Sequence, residues 1–203
     1  MDALLIVDVQ NDFCPGGALE VPGGDQVVPT INKLSQAFEH VVQTQDWHPE
    51  GHSSFASSHE GEEPFETIQM DYGQQVLWPD HCIQGSDGAE FHPELNTLPS
   101  QLIIRKGFRK DIDSYSAFYE NDHQTPTGLK AYLQERGIDR LYVAGLATDF
   151  CVKWSVTDGL DEGFEVYVIE DAVRGIDVEG SLDAAWNEMN EKGAEVVESW
   201  DLL

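Results

Sequence analysis

The sequence has few basic residues: 11 lysines and arginines stand against 38 aspartates and glutamates, giving a formal net charge of −27. A protein that binds nucleic acid through its phosphates needs clustered lysine and arginine side chains, and an anionic membrane surface attracts the same residues. The composition therefore predicts no nucleic-acid partner and no membrane partner. Two hypotheses account for the acidity itself, a solvated soluble surface and an adaptation to high salt.

The sequence also lacks a run of about 20 apolar residues, the length that spans a membrane. Its first residues, Met1–Asp8, contain no basic region and no cleavage site, which predicts a first strand and not a signal peptide. The three cysteines are Cys14, Cys82 and Cys151, and an odd count in a chain of this length does not suit a disulfide framework. These features favour the reducing cytoplasm as the location of the protein.

The chain of 203 residues has about the length of one ordinary domain. Its hydrophobic fraction of 40% is too high for a disordered acidic chain. Neither a repeat nor a linker divides the sequence, so we predict a single domain over residues 1–203. Glycine, proline and acidic residues alternate over 57–75, a composition typical of loops. We therefore predict a surface excursion or lid over about residues 53–78.

Six short apolar runs recur along the chain, as is typical of strands buried on both faces of a parallel sheet. These runs are Leu4–Val7, Val41–Thr44, Leu102–Ile104, Leu141–Ala144, Val166–Ile169 and Ala194–Val197. Helical patterns lie between them, over about 25–39, about 126–136 after a capping Thr125, from near 149 onward, and about 181–192. The alternation predicts an α/β fold, a three-layer α/β/α sandwich around a mostly parallel, about six-stranded sheet.

Reactive side chains stand where these predicted strands end. Asp8, Asp46 and Lys106 follow the first three strands, and the fourth runs into the loop before Cys151. Ligands of open parallel sheets bind beyond the carboxyl ends of the strands. We therefore expect these four side chains to meet on one rim of the sheet.

Cys151 follows a tight strand-to-helix turn, which places it in the first turn of the predicted helix, with Thr148 or Asp149 as the cap. A helix N-terminus favours a thiolate, and its free N–H groups can bind an oxyanion. Asp8 could take the thiol proton and return it to a leaving amine, and a neighbouring Lys106 would lower the cysteine pKa. The alternative is a buried structural cysteine.

The other two cysteines fit a nucleophile less well. Cys14 is a rival candidate, but it lies in a Pro-Gly-Gly loop without a helix end beside it. Cys82 follows His81 and is better explained as a structural residue.

A second group of residues has the composition of a metal site. Asp46 and His48 are two residues apart in an extended segment, and His81 could add a third ligand from the next loop. One carboxylate and two imidazoles suit zinc, iron or manganese and leave positions open for water or substrate. Ordinary hydrogen bonds of loop histidines are the alternative. His52 is either a fourth ligand or a partner of the ligands.

Taken together, these motifs resemble those of the nicotinamidase (pyrazinamidase) branch of the isochorismatase-like cysteine hydrolases. The resemblance covers nearly the whole chain. It rests on the segments Ile6–Phe13, Asp46–Pro49, His52–Ala56, Trp78–Cys82, Asp113–Phe118 and Gly145–Val152. The Asp-X-His and Trp-Pro-X-His-Cys pair is the more specific part, because it carries the metal site of nicotinamidases.

The resemblance implies hydrolysis of nicotinamide to nicotinate and ammonia through a thioester, with one divalent metal ion, zinc first and iron or manganese next. Pyrazinamide is implied as a further substrate, and a homo-oligomer as the assembly. It implies a catalytic triad of Asp8, Lys106 and Cys151, and metal ligands Asp46, His48 and His81. It also implies an oxyanion hole at Ala147 and Cys151, a cis peptide bond before Ala147, and aromatic walls at Phe13, Trp78 and Tyr115.

Three other functions are compatible with parts of this pattern. Another amidohydrolase of the superfamily, acting on a carbamoyl or ureido compound, would not need the metal ligands. A vinyl-ether hydrolase of the isochorismatase type would not need the thiol of Cys151. A non-catalytic binding module could keep the fold, although an intact triad argues against it.

Overall fold

The computed structural model describes all 203 residues and contains eight strands. They are β1 (Asp2–Val7), β2 (His40–Asp46), β3 (Thr67–Met70), β4 (Gly73–Val76), β5 (Leu102–Lys106), β6 (Arg140–Leu146), β7 (Glu165–Arg174) and β8 (Glu195–Val197). Six of them form one sheet in the order β5-β2-β1-β6-β7-β8, and every pairing in it is parallel. The predicted α/β class and strand number are confirmed.

Four α-helices cover the two faces of this sheet. They are α1 (Val28–Ala37), α2 (Leu129–Glu135), α3 (Lys153–Asp161) and α4 (Ser181–Lys192). Alternate residues of a strand point to opposite faces, so Leu4 and Ile6 of β1 pack in the core under α1, whereas Leu5 and Val7 pack in the core under α2, α3 and α4. This is the predicted three-layer sandwich. None of the helices combines the length and the apolarity that a membrane span requires.

Two helices begin later than predicted. A 3₁₀ turn over Gly24–Val27 precedes α1, so the α-helix occupies only the middle of the predicted segment 25–39. The predicted cap at Thr125 is wrong, because α2 begins at Leu129 and the Thr125 hydroxyl donates to the Asp122 carboxylate at 2.7 Å. That turn satisfies the polar groups of Thr125 locally, so they are not available to a helix.

The stretch predicted as loop contains a second, two-stranded sheet. β3 and β4 form an antiparallel hairpin in which Ile68 pairs with Gln75. The alternation of polar and apolar residues over Thr67–Met70 was the available sequence signal, and the surrounding glycine and acidic residues obscured it. Gln75 is fully buried, so the hairpin is anchored to the rest of the protein by a polar side chain.

Candidate active site

The carboxyl ends of the central strands bring four reactive side chains together. Asp46 and Lys106 are paired across β2 and β5, Asp8 follows β1 directly, and Cys151 lies just beyond β6. Lys106 Nζ lies 2.7 Å from Asp8 Oδ2, 3.3 Å from Asp46 Oδ1 and 3.6 Å from Cys151 Sγ. All four residues are buried. The four side chains therefore meet on one rim of the sheet, as predicted, and Lys106 lies between the other three.

Neighbouring groups hold the cluster in place. The Thr44 hydroxyl donates to Asp8 Oδ1 at 2.6 Å and accepts the backbone N–H of Asp8 at 3.1 Å. Lys106 Nζ donates to the backbone carbonyl of Ser114 at 3.0 Å. Asp8 Oδ1 and Lys106 Nζ are therefore hydrogen-bonded to fixed neighbours, whereas Asp8 Oδ2 has no hydrogen-bond partner and is paired with the Lys106 ammonium alone.

The charges of the cluster follow from burial and mutual attraction. Burial raises the pKa of Asp8 above its usual range, although the Lys106 ammonium opposes that shift. Burial also opposes the charge of Asp46, but His48 and Lys106 outweigh it and hold the pKa of that carboxyl well below its usual range. The pKa of Lys106 is raised well above the ordinary value, because Asp46 and Asp8 outweigh the effect of burial. Lys106 is therefore an ammonium between two carboxyl groups.

The expectation of a lowered pKa for Cys151 is wrong. Burial raises the pKa of its thiol well above the ordinary value, the carboxylates of Asp8 and Asp46 add to the shift, and Lys106 lowers it by less. The local structure also differs, because Cys151 lies in a single π-helical turn over Thr148–Val152 and not in the first turn of α3. The resting residue is thus a neutral thiol beside a carboxylate that can take its proton.

The predicted helix cap at Thr148 or Asp149 is also wrong. Neither side chain caps the turn, and the Asp149 carboxylate accepts hydrogen bonds from the loop after β7 and from the first residue of α4 instead. The donors are the N–H of Ile176 at 3.0 Å, the N–H of Asp177 at 2.8 Å and the hydroxyl of Ser181 at 2.5 Å. Asp149 therefore fastens that loop to the turn that carries Cys151.

The peptide bond between Leu146 and Ala147 is cis, as the resemblance implied. Within the turn, the N–H groups of Phe150 and Val152 both donate to the carbonyl of Ala147 at 3.1 Å. Ala147 and Cys151 line the same cavity. Their role as an oxyanion hole stays a prediction.

Three lone-pair donors converge beside this cluster. Asp46 Oδ2 lies 2.9 Å from His48 Nε2 and 3.3 Å from His81 Nε2. The opposite nitrogens face carbonyls, His48 Nδ1 that of Gly107 at 3.0 Å and His81 Nδ1 that of Pro79 at 2.7 Å. Since a carbonyl can only accept, each Nδ1 carries a proton, so each Nε2 is the nitrogen that can offer a lone pair to a cation shared with Asp46. Buried lone pairs that face one another in this way fit a divalent cation between them.

His52 is placed differently from these three residues. Its Nδ1 accepts the backbone N–H of Ser54 at 3.2 Å, and its Nε2 faces the carbonyls of Arg109 at 2.8 Å and Ile112 at 3.1 Å. Both ring nitrogens are thus already bonded to the protein. The ring packs against His48, with 4.3 Å between the ring centroids, and so supports that residue.

A narrow cavity opens onto the cluster. Cys151, Asp46 and His81 contribute to its lining, together with the three predicted aromatic residues Phe13, Trp78 and Tyr115. It encloses about 340 Å³ of space, open mouth included, which is at the lower end of ligand pockets. The cavity therefore suits a small flat ligand.

Sequence reasoning missed four residues of the cavity wall, Leu19, Asp113, Phe150 and Ile176. Phe150 meets Trp78 edge to face, with 4.7 Å between ring centroids and an interplanar angle of 89°. Its position directly before Cys151 was a usable signal. Leu19 and Ile176 lie in irregular segments where no periodicity marks them.

The other two cysteines lie outside this cavity. Burial raises the pKa of the Cys14 thiol to about 11, with Asp25 adding to the shift. Burial likewise raises the pKa of Cys82 well above the ordinary value. All three cysteines are unpaired. Of the three, only Cys151 contacts the cavity and a lysine together.

Comparison with known proteins places the chain in a family. The isochorismatase domain matches residues 2–201, and the chain belongs to that family. Its sequence is 56% identical to the nicotinamidase of Acinetobacter baylyi over 201 residues, which cover 99% of this chain and 94% of that protein.

Solved structures agree with this placement. The nicotinamidase/pyrazinamidase of Acinetobacter baumanii superposes with a TM-score of 0.98 at 60% identity, over 100% of this chain and 98% of the other. The pyrazinamidase of Pyrococcus horikoshii, solved in complex with zinc, has a TM-score of 0.78 at 37% identity, over 97% of this chain and 98% of the other.

Proposed function

We propose that the chain is a nicotinamidase, an amide hydrolase that converts nicotinamide to nicotinate and ammonia through a thioester on Cys151. The observation that carries the proposal is the buried Asp8–Lys106–Cys151 cluster, which opens onto a narrow aromatic cavity beside three metal-ligand side chains. The match to nicotinamidases along nearly the full chain supports the same reaction.

The first half-reaction forms the thioester. Asp8 lies within hydrogen-bond reach of the Cys151 thiol and takes its proton, and the raised pKa of Asp8 makes it a stronger base than an ordinary carboxylate. The sulfur attacks the carboxamide carbon, and the N–H groups of Ala147 and Cys151 hold the oxyanion. Asp8 then gives the proton to the amine nitrogen, and the carbon–nitrogen bond breaks to release ammonia.

The second half-reaction regenerates the thiol. Asp8 takes a proton from a water molecule, the resulting hydroxide adds to the thioester carbon, and the carbon–sulfur bond breaks. The sulfur leaves with the proton from Asp8, and nicotinic acid ionises to nicotinate. Lys106 remains charged throughout, because two carboxyl groups surround it, and it keeps Asp8 and Cys151 in register.

Asp46, His48 and His81 would hold the metal ion, with zinc first among the candidates and iron or manganese next. A bound divalent ion there supplies a Lewis acid that orients a ring nitrogen and polarises bound water. Phe13, Trp78 and Tyr115 provide apolar surface for the ring. Together these groups favour an aromatic carboxamide over an open-chain one.

The proposal also includes the location of the enzyme, its pathway and its domain organisation. The free cysteines favour a cytoplasmic enzyme, and production of nicotinate places it in NAD salvage. The chain acts as one domain, 1–203, with the excursion over 53–78 forming part of the cavity wall. Its net charge of −27 does not repel a neutral amide, and it favours departure of the anionic product.

Ammonia release from a substrate panel tests the proposal. Nicotinamide and pyrazinamide should be hydrolysed, whereas carbamoyl and ureido compounds should not. Chelation should lower the rate, and zinc, iron or manganese should restore it. If a carbamoyl or ureido compound is preferred and chelation has no effect, the rival amidohydrolase is correct. If the metal-loaded protein binds nicotinamide without turnover, it is a binding module.

A further inference from the structure

The β3–β4 hairpin places one buried polar side chain against the wall of the cavity. Gln75, on β4, is 0% exposed, and its amide lies at hydrogen-bond distance from Asp113, Tyr115 and Asn121. A buried primary amide is costly unless its N–H groups and its carbonyl are paired. The orientation of this amide therefore decides which partners are donors and which are acceptors.

Two backbone groups fix that orientation. The backbone N–H of Tyr115 donates to Asn121 Oδ1 at 3.0 Å, so Asn121 Nδ2 is the atom that faces Gln75, and it donates to Gln75 Oε1 at 3.1 Å. Gln75 Nε2 lies 2.8 Å from the carbonyl of Val76, which can only accept. The amide nitrogen of Gln75 is consequently the atom that faces the Tyr115 hydroxyl.

The Tyr115 oxygen thereby faces a donor nitrogen on each of its two protein partners. It lies 2.9 Å from Gln75 Nε2, whose two N–H groups also have Asp113 Oδ2 and the Val76 carbonyl within reach, and it accepts the indole N–H of Trp78 at 3.1 Å. Neither nitrogen can accept a hydrogen bond. The hydroxyl hydrogen cannot point at either donor, and Tyr115 donates to no other group of the protein. Since Tyr115 lines the cavity, the direction left for its O–H bond is toward a ligand.

We propose that Gln75 is a positioning residue that turns the Tyr115 O–H bond toward the substrate, so that Tyr115 donates a hydrogen bond to a nitrogen or oxygen acceptor of the bound aromatic amide. This inference rests on the proposed function, because it concerns the same cavity and the same ligand. It assigns the hairpin a role in substrate recognition, although its backbone contributes no lining residue to the cavity.

The chemistry of the amide explains why glutamine suits this position. Its amide nitrogen lies 2.9 Å from both Asp113 Oδ2 and the Tyr115 oxygen, while its carbonyl accepts from Asn121 and from the Tyr72 hydroxyl. A glutamate would place a second carboxylate against Asp113 and offer Tyr115 an acceptor in place of a donor. The Tyr115 hydrogen would then turn away from the cavity.

Calorimetric binding of nicotinamide to the metal-loaded full-length protein, in a Cys151→Ala background, tests the inference. Gln75→Leu and Tyr115→Phe should each weaken binding about 3- to 10-fold, the size of one hydrogen bond. The double variant should bind no more weakly than Tyr115→Phe alone, because Gln75 acts through that hydroxyl. The matched control is Gln74→Leu, on the exposed side of the same strand, which should bind like the parent.

Kinetics with Cys151 present give a second reading. In Gln75→Leu and in Tyr115→Phe, KM for nicotinamide should rise by the same factor as the loss of binding, while kcat stays within about twofold. The reason is that the hydrogen bond forms in the ground state and the transition state alike. A general loss of structure would lower kcat as well. Tyr115→Phe keeps the ring and the other contacts of Gln75, so it decides the role of the O–H bond even if Gln75→Leu does not fold.

The outcomes separate this inference from the proposed function. Unchanged binding by Tyr115→Phe overturns the inference, and so do additive effects of the two substitutions. If the variants bind nicotinamide as expected but the wild-type protein releases no ammonia, the proposed function is refuted and the inference stands. A protein that neither binds nor hydrolyses nicotinamide overturns both.

Discussion

The rim of the parallel sheet and the loops that cover it contribute different parts of the site. Asp8, Asp46 and Lys106 stand at or directly after strand ends, where pairing between strands fixes their positions. Trp78 and Tyr115 come from irregular segments and are held by side-chain hydrogen bonds instead. The difference indicates that the strand ends set the chemistry, whereas the covering loops set the shape of the ligand.

Removal of the proposed nucleophile is the most direct test of whether the strand ends set the chemistry. Cys151→Ala should lower ammonia release from nicotinamide by roughly a thousandfold or more, because thioester formation is lost. Cys14→Ala should retain activity, since Cys14 lies outside the cavity and the pKa of its thiol is raised to about 11. Activity that survives in Cys151→Ala and is lost in Cys14→Ala would show that the assignment is wrong.

A substitution beside the metal ligands tests how strictly the backbone at the rim is fixed. Gly107 has a φ of +61°, and a Cβ atom there would lie 2.3 Å from His48 Cε1. Gly107→Ala should therefore displace His48 and lower metal affinity about 10- to 100-fold, as loss of a ligand's support does. Elemental analysis after dialysis measures the loss.

The control for this substitution separates the clash from the backbone cost. Gly163 also has a positive φ, +88°, but a Cβ atom there meets nothing within 4 Å. Gly163→Ala should lower the free energy of unfolding by about 1 kcal/mol and leave the metal content unchanged. Equal metal content in both variants would contradict the proposed role of His48.

What the sequence could predict follows the same division. Short apolar runs located the six parallel strands, and strand ends located Asp8, Asp46 and Lys106, because both depend on local pattern and on general topology. The β3–β4 hairpin was missed because glycine and acidic residues obscured the alternation over Thr67–Met70. The burial of Gln75 and the wall residues Leu19 and Ile176 depend instead on contacts between distant segments. No local pattern encodes such contacts, so they could not be predicted.

The direction of the Cys151 pKa failed for a different reason. The prediction considered one lysine and a helix end, both of which favour a thiolate. The folded protein buries the thiol and places Asp8 and Asp46 near it, and these effects outweigh the lysine. The balance of opposing charges in a buried cluster depends on distances that a sequence does not contain.

A smaller effect is expected on the wall of the cavity. Phe150→Leu removes an edge-to-face contact with Trp78 but keeps an apolar side chain before Cys151. We expect KM for nicotinamide to rise about 3- to 10-fold, in line with the strength of one aromatic pair, with little change in kcat. Phe108→Leu, on a half-exposed residue outside the cavity, is the control and should leave KM unchanged. A large fall in kcat for Phe150→Leu would indicate that this wall shapes the chemistry too.

The smallest expected effect concerns stability, and it compares buried carboxyl groups that are paired with a cation with one that is not. Asp8 and Asp46 share the Lys106 ammonium, whereas Asp158, on α3, is 8% exposed and its Oδ2 atom has no hydrogen-bond partner. Burial raises the pKa of Asp158, and a hydrogen bond from Ser116 and the charge of His123 only partly oppose the shift. The folded protein therefore favours the protonated form of Asp158 more than the unfolded chain does.

The pH dependence of that effect has a definite sign. Because the pKa of Asp158 is higher in the folded state, ionisation of this group lowers the free energy of unfolding as the pH rises from its unfolded pKa through its folded pKa. Asp158→Asn, which cannot ionise, should be more stable than the wild type by about 1 kcal/mol at neutral pH. The difference should shrink as the pH falls through the folded pKa and should be gone below the unfolded pKa of an aspartate, about 3.9. Urea unfolding at several pH values measures it, and a variant less stable than the wild type at neutral pH would mean that the Asp158 carboxylate has a stabilising partner after all.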